Sequence, residues 1–218
     1  MDDLTVLEIV NLLTVGLCSL NIKSQVPNDI GDHNQYIDPL NLKSQEYLDN
    51  INSWTKEHKM KINSDKSKAI IFNFTKNYQF DTRLKLNHEV LEIVNETKLL
   101  GTVLTSDLKW DKNTENIVKK AYAKMEILRK MSGFGAPIGD LKKIYLTYIR
   151  THCEQSSTVW HSGLTELNKS DLERVQKVAF KIILKNKYIN YENALMVLDL
   201  ESLEQRRNEL ALTFAKNV

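Results

Sequence analysis

Lys98-Leu99-Leu100-Gly101-Thr102-Val103-Leu104-Thr105-Ser106-Asp107-Leu108-Lys109-Trp110-Asp111-Lys112-Asn113 is the stretch in which the chain changes character. On its upstream side the apolar residues come in short runs, and Leu99 to Leu104 predicts a strand. Past Asp111 they recur at intervals of three and four, the period of an amphipathic helix. The stretch therefore divides the 218 residues into a mixed α/β portion, 1–110, holding a small antiparallel sheet, and an all-helical portion, 111–218.

Working back from the junction, Leu84 to Val94 predicts a hairpin with its turn at Asn87-His88, since asparagine tolerates the left-handed backbone of such turns. Ala69 to Phe74 predicts a strand with Ile70, Phe72 and Phe74 on one side. From about Leu42 to Lys59, Tyr47, Leu48, Ile51, Trp54 and His58 share one helical face and are expected inside. Residues 21–41 hold Pro27, Gly31 and Pro39 among polar residues without a period, which predicts a loop. Leu4 to Leu20 is apolar-rich but is preceded by Asp2 and Asp3 and interrupted by Glu8 and Asn11. It has neither the basic start of a signal peptide nor the roughly 20 apolar residues of a membrane span, so it reads as a buried element of an intracellular protein of the cytoplasm or nucleus.

Working forward, a helix over about Asn113 to Met131 buries Ile117, Val118, Ala121, Tyr122, Met125 and Leu128, and Gly133, Gly135, Pro137 and Gly139 end it. Asp140 is expected to cap a second helix with Leu141, Ile144, Tyr145, Tyr148 and Ile149 inward. Ser170 with Glu173, and Ser202 with Gln205, have the spacing of capping boxes and predict two further helices. The third helix would bury Leu172, Val175, Ala179 and Ile182.

Composition sets bounds. With 30 Lys and Arg against 28 Asp and Glu, net charge is +2, so whole-chain charge gives no case for a polyanionic partner and any such case is local. Cys18 and Cys153 lie far apart and in no metal-ligand spacing, which implies no disulfide framework and fits a reducing compartment. The five histidines share no metal spacing with them. Trp54, Trp110 and Trp160 each sit in an apolar pattern and are expected in the core rather than stacked on bases.

Four stretches carry chemistry when taken in order. Asp2-Asp3 could ligate a divalent cation for phosphoryl transfer, or could serve as acids at the start of a helix. Met60-Lys61-Ile62-Asn63-Ser64-Asp65-Lys66-Ser67-Lys68 leads into the strand at Ala69. Lys98 to Leu104, then Asp107-Leu108-Lys109-Trp110, form a strand and turn. The helical tail holds Gln155 to Trp160, Leu172 to Lys177 and Leu203 to Arg207. In this order the four are similar to the non-LTR (LINE-type) retrotransposon reverse transcriptases: the end of the aromatic-x-Asp-Asp palm motif, the next palm motif with its lysine, the primer grip, and the thumb with the segment beyond it.

The resemblance implies an RNA-directed DNA polymerase working on an RNA template and a DNA primer with Mg²⁺. It makes Asp2 and Asp3 metal-ligating carboxylates and places Lys66 near the departing pyrophosphate, where a cation stabilises developing charge. It gives Gly101 a close approach to the primer. Without the family, Lys66 is an exposed residue of a charged turn and Gly101 a strand glycine at a bulge. The family pattern also needs an upstream aspartate and fingers, so the expectation is a truncated copy, inactive alone. The alternatives are a non-catalytic nucleic-acid-binding helical module or an unselected remnant.

The local charge case lies in the helical portion. Lys109 to Arg150 hold ten Lys or Arg, Lys120 and Lys124 among them, against four Asp or Glu. Arg174, Lys177, Lys181 and Lys185 follow at three, four and four, one stripe able to track phosphates, or else a solvated face of snorkelling side chains.

Overall fold

The computed structural model describes residues 39–72 and 83–217. The protein is mostly helical, with small two-stranded sheets early and then six helices. It divides between Leu108 and Lys109 into two compact units. The expectations for Leu4–Leu20, for most of the 21–41 loop and for Phe74 fall outside the described residues.

In the first unit α1 spans Pro39–Glu57, opening on the residue whose fixed φ suits a first helical turn. It ends where Lys59 takes a left-handed φ of 56°, letting Met60 N–H bond back to the Thr55 carbonyl at 2.8 Å, a Schellman closure made without glycine. A turn of 3-10 helix, Ser64–Lys66, is capped by Asn63 and leads into β1, Lys68–Ala69. β2 (Lys85–Leu86) and β3 (Glu89–Val90) form the expected hairpin, with Asn87 at φ 52° and His88 at φ 71°, the doubly left-handed pair whose twist matches that of the strands.

Three details depart from expectation. β1 pairs in parallel with β4, Glu92–Ile93, so the unit holds a parallel pair beside its antiparallel ones. The strand expected over Leu99–Leu104 is instead a hairpin of β5 (Glu96–Leu99) and β6 (Thr102–Thr105). Its turn is Leu100 at φ 48° and Gly101 at φ 89°. A leucine carries no turn signal, so the run reads as continuous. On α1, Leu48 is buried with Ile62, Ala69, Leu84, Leu86 and Leu91, and Ile51 packs against them. Tyr47 and Trp54 remain 46% and 47% exposed. The inward face passes instead through Thr55, also buried. Here α1 meets a hairpin of two-residue strands, and the surface that such short strands offer covers only part of the helix.

In the second unit α2 spans Asp111–Gly133. After the Gly135 turn, α3 (Ile138–Ile144), a π-helical turn (Tyr145–Arg150) and α4 (Thr151–Glu154) run on as one rod. The wider π turn brings Tyr145, Ile149 and Cys153, each four apart, to the inside. It leaves Tyr148, expected inward, 53% exposed. Pro137, not Asp140, precedes α3, and Asp140 in the first turn pairs with Lys143 at 3.4 Å.

A short α5, Ser157–Trp160, follows. α6 spans Glu166–Leu184 and is capped by Thr165. Ser170 is therefore inside the helix and the expected box with Glu173 does not form. α7, Tyr191–Leu198, capped by Asn190, was not anticipated. α8, Leu203–Lys216, has the expected Ser202–Gln205 capping box. α2 and α6 lie parallel: Asn168 donates to Asp111 (2.8 Å) at their starts and Ser132 Oγ donates to the Ile182 carbonyl (3.0 Å) near their ends. Among the described residues no helix is long and apolar enough to cross a membrane.

Candidate nucleic-acid interface

Asp2 and Asp3 lie outside the described residues. Among the described residues no group of three or more His, Cys, Asp or Glu could hold a metal ion.

The second motif has a local physical reading. Asn63 Oδ1 accepts from the Lys66 backbone N–H (3.2 Å), and Ser67 Oγ donates to the Asn63 carbonyl (2.8 Å). The spacing of Asn, Lys and Ser thus fixes one capped turn. The Lys66 side chain stands exposed above it. Gly101 sits at a hairpin turn rather than a bulge, and its positive φ is a conformation that side chains with a Cβ rarely adopt.

The four stripe residues on α6 fare differently. Arg174 pairs with Asp171 at 3.4 Å. The Lys185 ammonium donates to the Ser132 carbonyl at 2.5 Å, closing the C-terminal end of α2, where a cation also meets the negative pole of the helix dipole. Lys177 and Lys181 are exposed, with ammonium groups 5.0 Å and 5.6 Å from the ring centroids of Tyr191 and Tyr188. The cation–π contacts hold both side chains over aromatic faces while leaving the charge in water. On the rod's other neighbour, Lys120 and Lys124 stand one turn apart on α2, and both act on His152 of α4, whose pKa burial and then these two ammonium groups hold below its ordinary value.

The aromatic expectations divide. Trp110 and Trp160 are buried, whereas Trp54 lies outside the core with its ring 4.3 Å from that of His58.

Behind the basic residues lies a buried polar network that sequence reasoning missed. The Tyr145 hydroxyl donates to Gln176, and Gln176 donates to Tyr191 Oη and to the Glu201 carbonyl, both at 2.8 Å. Tyr191 in turn donates to Glu173, which also accepts the Leu203 backbone N–H (3.1 Å). Arg207, at the end of the Leu203 to Arg207 stretch, is fully buried. Its Nε donates to His161 Nδ1 (3.3 Å), which assigns the second ring nitrogen as donor to Asn208 Oδ1 (2.8 Å). Desolvation pulls the Arg207 pKa down. The available signal was Glu173 and Gln176, two polar residues three apart on the face of α6 that meets the core.

Comparison with protein-family models, curated proteins and solved structures finds no match to this chain. What its own residues bring together is a pair of exposed lysines on α6 and a hydrogen-bonded interior that holds the helix carrying them.

Proposed function

We propose that the helical unit binds the phosphate backbone of nucleic acid, as the thumb of a reverse transcriptase of the non-LTR retrotransposon class. In that reading residues 1–110 are the end of the palm of an RNA-directed DNA polymerase, and the substrates of the whole enzyme are an RNA template and a DNA primer. The observation that carries the binding proposal is the presentation of Lys177 and Lys181, exposed and braced over tyrosine rings. Four residues of α helix rise about 6 Å, so the two charges lie side by side along one face. Contacts of this kind are sequence-independent, which suits a polymerase thumb. The ordered motifs at Asp2-Asp3, Lys66, Gly101 and the helical tail support the family assignment.

The test is a gel-shift titration of the chain against single-stranded and RNA–DNA duplex oligonucleotides, repeated with Lys177→Glu and Lys181→Glu together. The double variant is expected to bind at least tenfold more weakly while keeping its helical circular dichroism. Unchanged affinity would remove the α6 face from the proposal.

A further inference from the structure

Lys177 has an ordinary partner that it does not take. Glu173 lies four residues before it on α6, and a glutamate placed four ahead of a lysine is the favourable order for an ion pair on a helix surface. The same helix makes pairs of this kind at a spacing of three, Glu166 with Lys169 at 2.8 Å and Asp171 with Arg174 at 3.4 Å. Glu173 turns inward instead. One of its carboxylate oxygens accepts from the Tyr191 hydroxyl and from the Leu203 backbone N–H (3.1 Å), and the other is buried.

Tyr191, at the start of α7, touches both side chains. Its hydroxyl donates to Glu173 and accepts from Gln176 Nε2 at 2.8 Å. Its ring packs 5.9 Å from that of Phe180 and has the Lys177 ammonium 5.0 Å from its centroid. The two partners open to Lys177 differ as competitors for an anion. A carboxylate within reach would offset the lysine charge and would have to be displaced by an arriving phosphate. A ring face draws an exposed ammonium more weakly and leaves its charge in place.

We infer that Tyr191 is a positioning residue that holds Glu173 away from Lys177, so that the Lys177 charge is presented to a phosphate. The inference rests on the nucleic-acid reading above and adds to it the residue that keeps the contact open. Without the hydroxyl, the inward carboxylate loses a donor. A buried oxygen left short of donors is costly, which turns Glu173 toward solvent and toward the lysine four residues on. Tyr191 thus acts through Glu173 and makes no contact with the nucleic acid itself.

The experiment is fluorescence anisotropy of a labelled oligonucleotide with the full chain at low salt, for the wild type, Tyr191→Phe, Glu173→Gln and the double variant. Tyr191→Phe is expected to bind about twofold more weakly, the worth of one helical Glu–Lys pair. Glu173→Gln removes the competitor. It should therefore tighten binding about twofold more in the Tyr191→Phe background than in the wild type, a comparison in which the general effect of deleting a negative charge cancels. Wild-type affinity in Tyr191→Phe, or an equal gain from Glu173→Gln in both backgrounds, would overturn the inference while leaving backbone binding intact. Absence of binding in the wild type would instead remove the nucleic-acid reading itself, and this inference with it. Should a variant fail to fold, NMR of the wild-type lysine side chains decides the matter: an upfield ring-current displacement of the Lys177 ε-methylene supports the seating on Tyr191, and the position of a free lysine refutes it.

Discussion

Tyr145, Cys153 and Tyr191 are acids held neutral inside the helical unit. Burial is the main cause in each case; Glu173 adds to it at Tyr191 and Cys153 adds to it at Tyr145. All three pKa values are raised above those of an unfolded chain, about 10 for tyrosine and about 8.5 for cysteine. A raised pKa contributes stability that is complete below the unfolded value and is lost as pH climbs toward the folded one. The urea midpoint of the chain should therefore hold up to about pH 8 and fall steadily above it, and Cys153→Ala should flatten the first part of that fall. An alkaline profile unchanged by Cys153→Ala would mean that the thiol is not the group titrating there. Residues of this kind were the least legible in the sequence. Glu173 has the spacing of a capping-box partner and Arg207 the charge of an exposed side chain; charge on a residue predicts exposure, and only a partner's position in space reverses that. Lys177 and Lys181 were legible, since helical spacing alone places them on one face. The engagement of Lys185 with α2 was not, because Ser132 is 53 residues away in the chain.

Elements were legible where a local signal existed and no neighbour overrode it. The Asn87-His88 turn and the Ser202 capping box are short-range, and both appear as read. The β5–β6 turn, the π turn and α7 were missed because their determinants are not compositional: a leucine fills a left-handed position, and the π turn follows from what Tyr145 and Ile149 must reach. Two consequences can be measured. Ser202→Ala removes the acceptor of the Gln205 backbone N–H (3.2 Å) and should cost about 1 kcal/mol in chemical denaturation. At Gly163 an added Cβ would lie 2.5 Å from Trp110 Nε1, so the turn after α5 leaves no room for a side chain against that buried indole. Gly163→Ala should destabilise by about 1–3 kcal/mol and shift tryptophan fluorescence, whereas Gly139→Ala, with open space around it, should do neither.

On the scale of the whole molecule a net charge of +2 hides a local concentration of cations on the helical unit. The division into a mixed portion and a helical portion could be read from the change of period at Asp111. The chemistry of the mixed portion could be read only as ordered motifs, and the carboxylates that would hold metal lie outside the described residues. The central claim is thus the one the helical unit can answer, the proposal that it binds a phosphate backbone through Lys177 and Lys181. The measurement is the dependence of oligonucleotide affinity on salt. Two phosphate contacts predict that log K falls linearly with log salt with a slope of about −1.5, and that Lys177→Glu with Lys181→Glu brings the slope close to zero. Affinity that stays level as salt rises, or a slope that the double variant leaves unchanged, would contradict the account.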